Sequence, residues 1–351
     1  MFIDKILENA MEYNASDIHI IPNEAPKMRV YGEILDMNID EITNTENLLL
    51  EIMNEYNIDS YNKRGSSDFA YENEKCGRFR VNVFKRRGKM AATFRIISTE
   101  IPKPEKLGYS KQLLDLCSKK RGIVLVTGPT GSGKSTTLAS FIDYINMNYR
   151  RHIVTLEDPI EYVHKNCKSI VNQREVGLDT LDFQLGLRDA LREDPDVILV
   201  GEMRDLETTR TAITAAESGH LVFATLHTMG AAETIDRIID QFPTSQQQYI
   251  KVQLASVIEA VISQQLIPNI EGNGRVAAFE IMYAMPAIKN LIREGKIFQI
   301  TSYMQNNRNL GMQTLDDCLY NLYNEGKITV DNCIAFAKDV ITIKNRLNLL
   351  N

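Results

Sequence analysis

The chain has 351 residues, of which 44% are apolar and 25% charged, a balance that suits folded domains and excludes a long disordered tail. That length accommodates two domains of ordinary size, each with its own core. A net charge of −6 excludes a global positive field, so a nucleic-acid or anionic-membrane partner would need a local basic patch.

From the amino end, Ile3, Ile6, Leu7, Ala10 and Met11 recur at helical spacing, which predicts an amphipathic helix and not a signal peptide. The alternation in 17–20 (DIHI) and the run Met28-Arg29-Val30-Tyr31 read as strands, with Gly32 marking a turn. Residues 78–84 (RFRVNVF) and 90–97 (MAATFRII) read as paired strands joined by the basic segment Lys85 to Lys89. The first domain, 1–97, is therefore a small α+β unit. Pro102, Pro104 and Gly108, interspersed with charges, break both periodicities and place an exposed connector over 98–111. The second domain spans 112–351. In it the apolar runs 123–126 (IVLV), 152–156 (HIVTL), 197–200 (VILV) and 221–225 (LVFAT) alternate with helical patterns, the signature of an α/β domain with a largely parallel sheet. From Pro286 onward the patterns are helical, including Thr314 to Tyr323. No apolar run approaches the roughly 18 residues needed to cross a bilayer, and the expectation is a cytoplasmic protein. The five cysteines, Cys76, Cys117, Cys167, Cys318 and Cys333, are scattered without CxxC spacing, as reduced thiols would be.

After the 123–126 strand come Gly128, Pro129, Thr130, Gly131, Ser132, Gly133, Lys134, Ser135 and Thr136. The three glycines allow the backbone N–H groups to turn inward onto phosphate oxygens. Lys134 can then reach the β- and γ-phosphates, and Ser135 can offer its hydroxyl to magnesium. A helix opening at Ser135 adds its positive end to the same point. ATP with Mg2+ is the implied ligand. Carboxylates follow two other strands: Glu157, Asp158 and Glu161 after Leu156, and Glu202 after Val200-Gly201. At the carboxyl edge of an open sheet they could converge on the phosphates. As solvated caps of the next helix they would serve only local structure. His220 and His227 flank the 221–225 strand and read either as packed residues or as catalytic ones.

Four boxes together are more specific than any one. GPTGSGKST, TLEDPIEYVH (155–164), DPDVILVGEMRD (194–205) and ESGHLVFATLHT (217–228) resemble, in order and spacing, the Walker A, Asp, atypical Walker B and His boxes of the secretion ATPase superfamily of type II secretion and type IV pilus motors. ASDIHI (15–20) and AIKNLIREGK (287–296) are similar to the retraction branch, with Lys289 standing where its box carries arginine. The four-cysteine zinc module frequent in the other branches is missing. The resemblance implies a PAS-like N-terminal domain linked to a RecA-like ATPase domain with a helical C-terminal region, assembled as a homohexamer. It assigns catalysis to Glu157, magnesium to Glu202 with Ser135, the γ-phosphate region to His227 and a structural role to His220. Arg80 and Arg95 match arginines that reach a neighbour's nucleotide. The implied activity is ATP hydrolysis driving type IV pilus retraction. The implied partners are an inner-membrane platform protein and, indirectly, pilin, at the cytoplasmic face of that membrane. A retraction-accessory paralogue, or a related secretion or DNA-translocating ring, shares much of this pattern. The charge balance and the lack of a basic stripe interleaved with aromatics speak against nucleic acid.

Overall fold

The computed structural model describes residues 2–30, 32–73, 75–97 and 100–349. Tyr31, and Ser98 and Thr99 at the start of the expected connector, lie outside the described residues. The chain divides into two compact units. The first comprises residues 1–101 together with Asp158–Val163 and Glu175–Asp179; the second holds the remainder.

In the first unit, strands β1 (Asp17–Ile20), β2 (Lys27–Val30), β3 (Glu33–Asp36), β4 (Ser66–Asn73), β5 (Gly77–Arg86) and β6 (Lys89–Ile97) form a sheet in the order β3-β2-β1-β6-β5-β4. Its pairings are antiparallel. Arg87 and Gly88, both at positive φ, make the two-residue turn between β5 and β6, which suits the right-handed twist of the flanking strands. The helix Phe2–Glu12 buries Ile3, Ile6, Leu7 and Ala10 in one core with Ile18, Ile20, Phe79, Val81 and Phe94. Met11, expected on that face, is 40% exposed.

The second unit holds β7 (Gly122–Thr127), β8 (His152–Glu157), β9 (Ile170–Glu175), β10 (Val197–Val200), β11 (Leu221–Leu226), β12 (Ile258–Pro268) and β13 (Arg275–Tyr283) in the order β13-β12-β7-β11-β10-β8-β9. From β12 through β8 neighbouring strands run parallel, and β13 pairs antiparallel to β12. Alternate residues of one strand serve opposite faces. Ile123 and Leu125 join a core with Ala212, Ile213, Ile235 and Ile238, while Val124 and Val126 join Leu138, Phe141 and Ile145. Both faces are thus covered by helices, which is why these strands read as unbroken apolar runs. The C-terminal helices bury Leu315, Leu319, Leu322 and Ile343 against Ile267 and Ala278. Tyr109, within the expected connector, stacks near Phe141 and Phe279 at 5.4 and 5.8 Å between ring centroids. This end of the segment is therefore anchored in the second unit's core and not freely exposed.

Candidate active site

The phosphate loop leaves β7 at Thr127 and enters the helix Lys134–Asn148. Gly128 and Gly133 have φ values of 143° and 89°, a region that L side chains rarely adopt. A Cβ at Gly128 would also lie 2.2 Å from the Gln264 carbonyl oxygen, and one at Gly133 would lie 2.9 Å from Gln264 Nε2. Gln264, on β12 and 2% exposed, braces the loop. Its Nε2 donates to the Ser132 carbonyl at 2.5 Å, and its Oε1 accepts from Thr137 Oγ1 at 2.7 Å. Tyr109 OH donates to the same Thr137 hydroxyl at 2.9 Å. Lys134 Nζ donates to the carbonyls of Gly128 and Pro129 at 2.9 and 3.1 Å, so the ammonium already lies over the concave side of the loop. Pro129, Thr130 and Gly131 form the exposed rim, whereas Ser132 is buried and Ser135 and Thr136 are half-buried at the helix start.

The neighbours in the sheet supply the rest. In the register of the parallel strands Thr127 stands opposite Leu226, and Ala224 opposite Val200, which stands opposite Leu156. The phosphate loop, His227, Gly201-Glu202 and Glu157 therefore leave the same edge of four adjacent strands, in the order β7-β11-β10-β8. This is the carboxyl edge at which open α/β sheets bind ligands. Gly201 permits the close approach, since a Cβ there would lie 2.9 Å from the Leu156 carbonyl oxygen.

Glu202 links two of these strands. Its Oε1 is 3.2 Å from His227 Nε2, and its Oε2 is 2.7 Å from Arg204 Nη2. Burial pushes its carboxyl up, but the Arg204 guanidinium and His227 outweigh burial and hold it below the ordinary glutamate value. The carboxylate is consequently ionised at neutral pH. It is not a helix cap; Asp205 fills that role for Leu206–Glu217 by accepting the Thr208 N–H. Glu157 Oε1 accepts from Thr155 Oγ1 at 2.7 Å and from Gln173 Nε2 at 3.0 Å. Gln173 Oε1 in turn accepts the His164 N–H at 2.8 Å. His220 sits at the opposite, amino end of β11, where its Nδ1 lies 2.9 Å from the Ala215 carbonyl.

Arg80 and Arg95 belong to the first unit. They stand directly opposite each other on β5 and β6, a like-charge pairing that is unfavourable without neutralisation. Asp68 bonds Arg80 at 2.8 Å and Asp17 bonds Arg95 at 2.9 Å. Gln264, Gln173 and Arg204 were not singled out from sequence. For Gln264 a signal existed: a polar Ser263-Gln264-Gln265 triplet stands between the apolar residues Ala260-Val261-Ile262 and Leu266-Ile267.

The sequence profile of the type II/IV secretion system proteins matches residues 1–333. The chain belongs to that family. This family member is 48% identical over 340 residues to the type IV pilus retractation ATPase PilT of Pseudomonas aeruginosa, covering 96% of this chain and 98% of the relative. To the type IV pilus ATPase PilU of the same organism it is 37% identical over 351 residues, covering 99% and 92%. Its fold matches the crystal structure of the pilus retraction motor PilT with bound ADP at a TM-score of 0.89 and 49% identity, over 95% of this chain and 96% of that one. The α/β architecture expected from sequence is that of this family.

Proposed function

We propose that the protein is the ATPase that drives type IV pilus retraction. The observation that carries this reading is the meeting of a braced phosphate loop with Glu202, His227 and Glu157 at one sheet edge. The 48% identity to a type IV pilus retractation ATPase, over 96% of this chain, supports this reading.

ATP enters with its phosphates against the loop N–H groups and the start of the Lys134–Asn148 helix. Lys134 exchanges the Gly128 and Pro129 carbonyls for β- and γ-phosphate oxygens. Among the described residues no cluster of three or more His, Cys, Asp or Glu side chains could hold a metal by itself. Mg2+ takes most of its ligands from phosphates and water and few from protein. Ser135 and the ionised Glu202 would complete its shell, and the ion supplies neutralisation of charge on the phosphates. Glu157, oriented by Thr155 and Gln173, positions the attacking water and accepts its proton. His227, hydrogen-bonded to Glu202, faces the γ-phosphate and senses its presence. Arg80 and Arg95 act on the nucleotide of an adjacent copy in a homohexamer, so that ATP draws two copies together and hydrolysis releases them. The work is delivered to a platform protein at the cytoplasmic face of the inner membrane, and through it to pilin; nucleic acid has no part. Among the described residues no helix is long and apolar enough to cross a membrane.

Lys134→Ala should abolish ATP hydrolysis by the purified protein, and a host carrying it should keep its pili yet fail to twitch. Wild-type turnover in that variant, or loss of the pili themselves, would refute the proposal.

A further inference from the structure

β11 runs into the loop His227–Gly230, and the helix Ala231–Asp240 follows at once. A buried row of polar side chains grips this loop from the neighbouring strands. Thr127 on β7 stands opposite Ser263 on β12, which stands opposite Glu280 on β13, so all three project from one face of the sheet. Their exposures are 0, 6 and 3%. Such burial is costly for polar groups unless each finds a partner, and each does. Ser263 Oγ accepts the Gly230 N–H at 2.9 Å. Glu280 Oε1 accepts the Ala231 N–H at 2.7 Å, and its Oε2 accepts the Leu315 N–H at 3.2 Å. Lys338 Nζ lies 3.3 Å from the same carboxylate and supplies the opposite charge. Thr127 Oγ1 lies 3.4 Å from Thr234 Oγ1, a hydroxyl that donates to the Gly230 carbonyl at 2.5 Å and lies 2.7 Å from Thr228 Oγ1.

The Ser263 and Glu280 bonds fall on Gly230 and Ala231, just after His227, and Thr127 reaches the loop through Thr234, which bonds both Thr228 and Gly230. None reaches the imidazole itself, which meets Glu202. We infer that Thr127, Ser263 and Glu280 are positioning residues that fix the path of the 227–230 loop and thereby the approach of His227 to Glu202 and the γ-phosphate. The inference rests on the reading of His227 given above. Glu280 is the pivot, since its carboxylate joins the loop to Leu315 and Lys338 of the C-terminal helical region. Through it, that region holds the same loop as the strand bearing the phosphate cradle.

Steady-state hydrolysis by the full-length protein tests this. Ser263→Ala removes the Gly230 acceptor at little change in volume and should lower kcat about tenfold, in keeping with the cost of displacing a catalytic group by a fraction of an ångström. KM for ATP and affinity for ADP should hold, because the phosphate cradle is untouched. Ser263→Thr, which keeps the hydroxyl, should restore turnover. In a His227→Ala background Ser263→Ala should cause no further loss, as expected when one residue acts through another. Glu280→Gln should show the same split between kcat and KM, and if that variant does not fold, the serine pair decides. Wild-type kcat in Ser263→Ala, losses that multiply in the double variant, or equal losses of binding and turnover would each overturn the inference. Failure of the underlying reading is visible separately, as wild-type turnover in His227→Ala alone, and it removes the inference as well.

Discussion

The phosphate loop of the second unit is held by hydrogen bonds inside the protein: Gln264, almost fully buried, bonds Ser132 and Thr137 and packs against Gly128. Arg80 and Arg95 of the first unit are held instead by ion pairs to Asp68 and Asp17, with the arginine side chains 39% and 69% exposed. Breaking a buried hydrogen bond leaves an unsatisfied group and costs roughly 1–3 kcal/mol, whereas an exposed ion pair contributes about 0–1 kcal/mol. The cradle is therefore built before its ligand arrives, while Arg80 can leave the half-exposed Asp68 for a stronger anion at little cost; Arg95 is itself exposed, but its partner Asp17 is buried and ties it more firmly. A rigid half and a more exchangeable half suit the proposed site shared between copies.

The largest effect that could break this contrast is on rate. Arg80→Ala combined with Arg95→Ala should lower kcat by about a thousandfold, within the range seen for arginines that stabilise phosphoryl transfer. Loss of the half-exposed Arg80–Asp68 pair should barely move the thermal unfolding midpoint, whereas loss of Arg95 leaves the buried Asp17 carboxylate without its cation and should lower the midpoint by a few degrees. A large fall in stability with turnover retained would make these arginines structural. Gln264→Ala should behave in the opposite manner. It removes about 2 kcal/mol of stability in denaturant titration and weakens nucleotide binding, because the Ser132 carbonyl loses its side-chain donor and the Thr137 hydroxyl its acceptor, keeping only Tyr109. Unaltered stability and affinity would show that the loop holds itself.

The smallest effect concerns pH. Burial pushes His164 from its ordinary value of 6.5 down to about 4. The unfolded chain therefore takes up a proton that the native chain refuses, and stability present above pH 6.5 declines as the pH falls toward 4. Urea midpoints measured across that interval should drop less steeply in His164→Gln. Parallel curves for the two proteins would assign the acid sensitivity elsewhere.

Local features were legible in the sequence and long-range ones were not. β7, β8, β10 and β11 are buried on both faces and announce themselves as apolar runs. β3 is exposed along its whole length, and β4 opens with two serines, so neither offers a strong period. β12 and β13 pair over nine positions, yet Ser263, Gln264 and Glu280 interrupt their apolar pattern because these residues serve the adjoining loops. The phosphate loop could be read directly, since its glycines and lysine lie within nine consecutive residues. The convergence of Glu157, Glu202 and His227 on it depends on the order β7-β11-β10-β8, and strand order is a property of the folded sheet. Residue spacing therefore left open whether those carboxylates capped helices. Asp205, not Glu202, is the capping residue that settles one of these cases.

The central claim is that the sheet edge is one half of a hydrolytic site completed by arginines from another copy. Mixing two inactive variants addresses it most directly. Glu157→Gln keeps the arginines but lacks the group that activates water, and Arg80→Ala with Arg95→Ala keeps a complete cradle. Co-assembled from a denatured or dissociated mixture, they should regain ATP hydrolysis well above the sum of the separate variants, because some interfaces then pair an intact cradle with intact arginines. Activity that stays at that sum, in assemblies verified to contain both chains, would contradict the shared site.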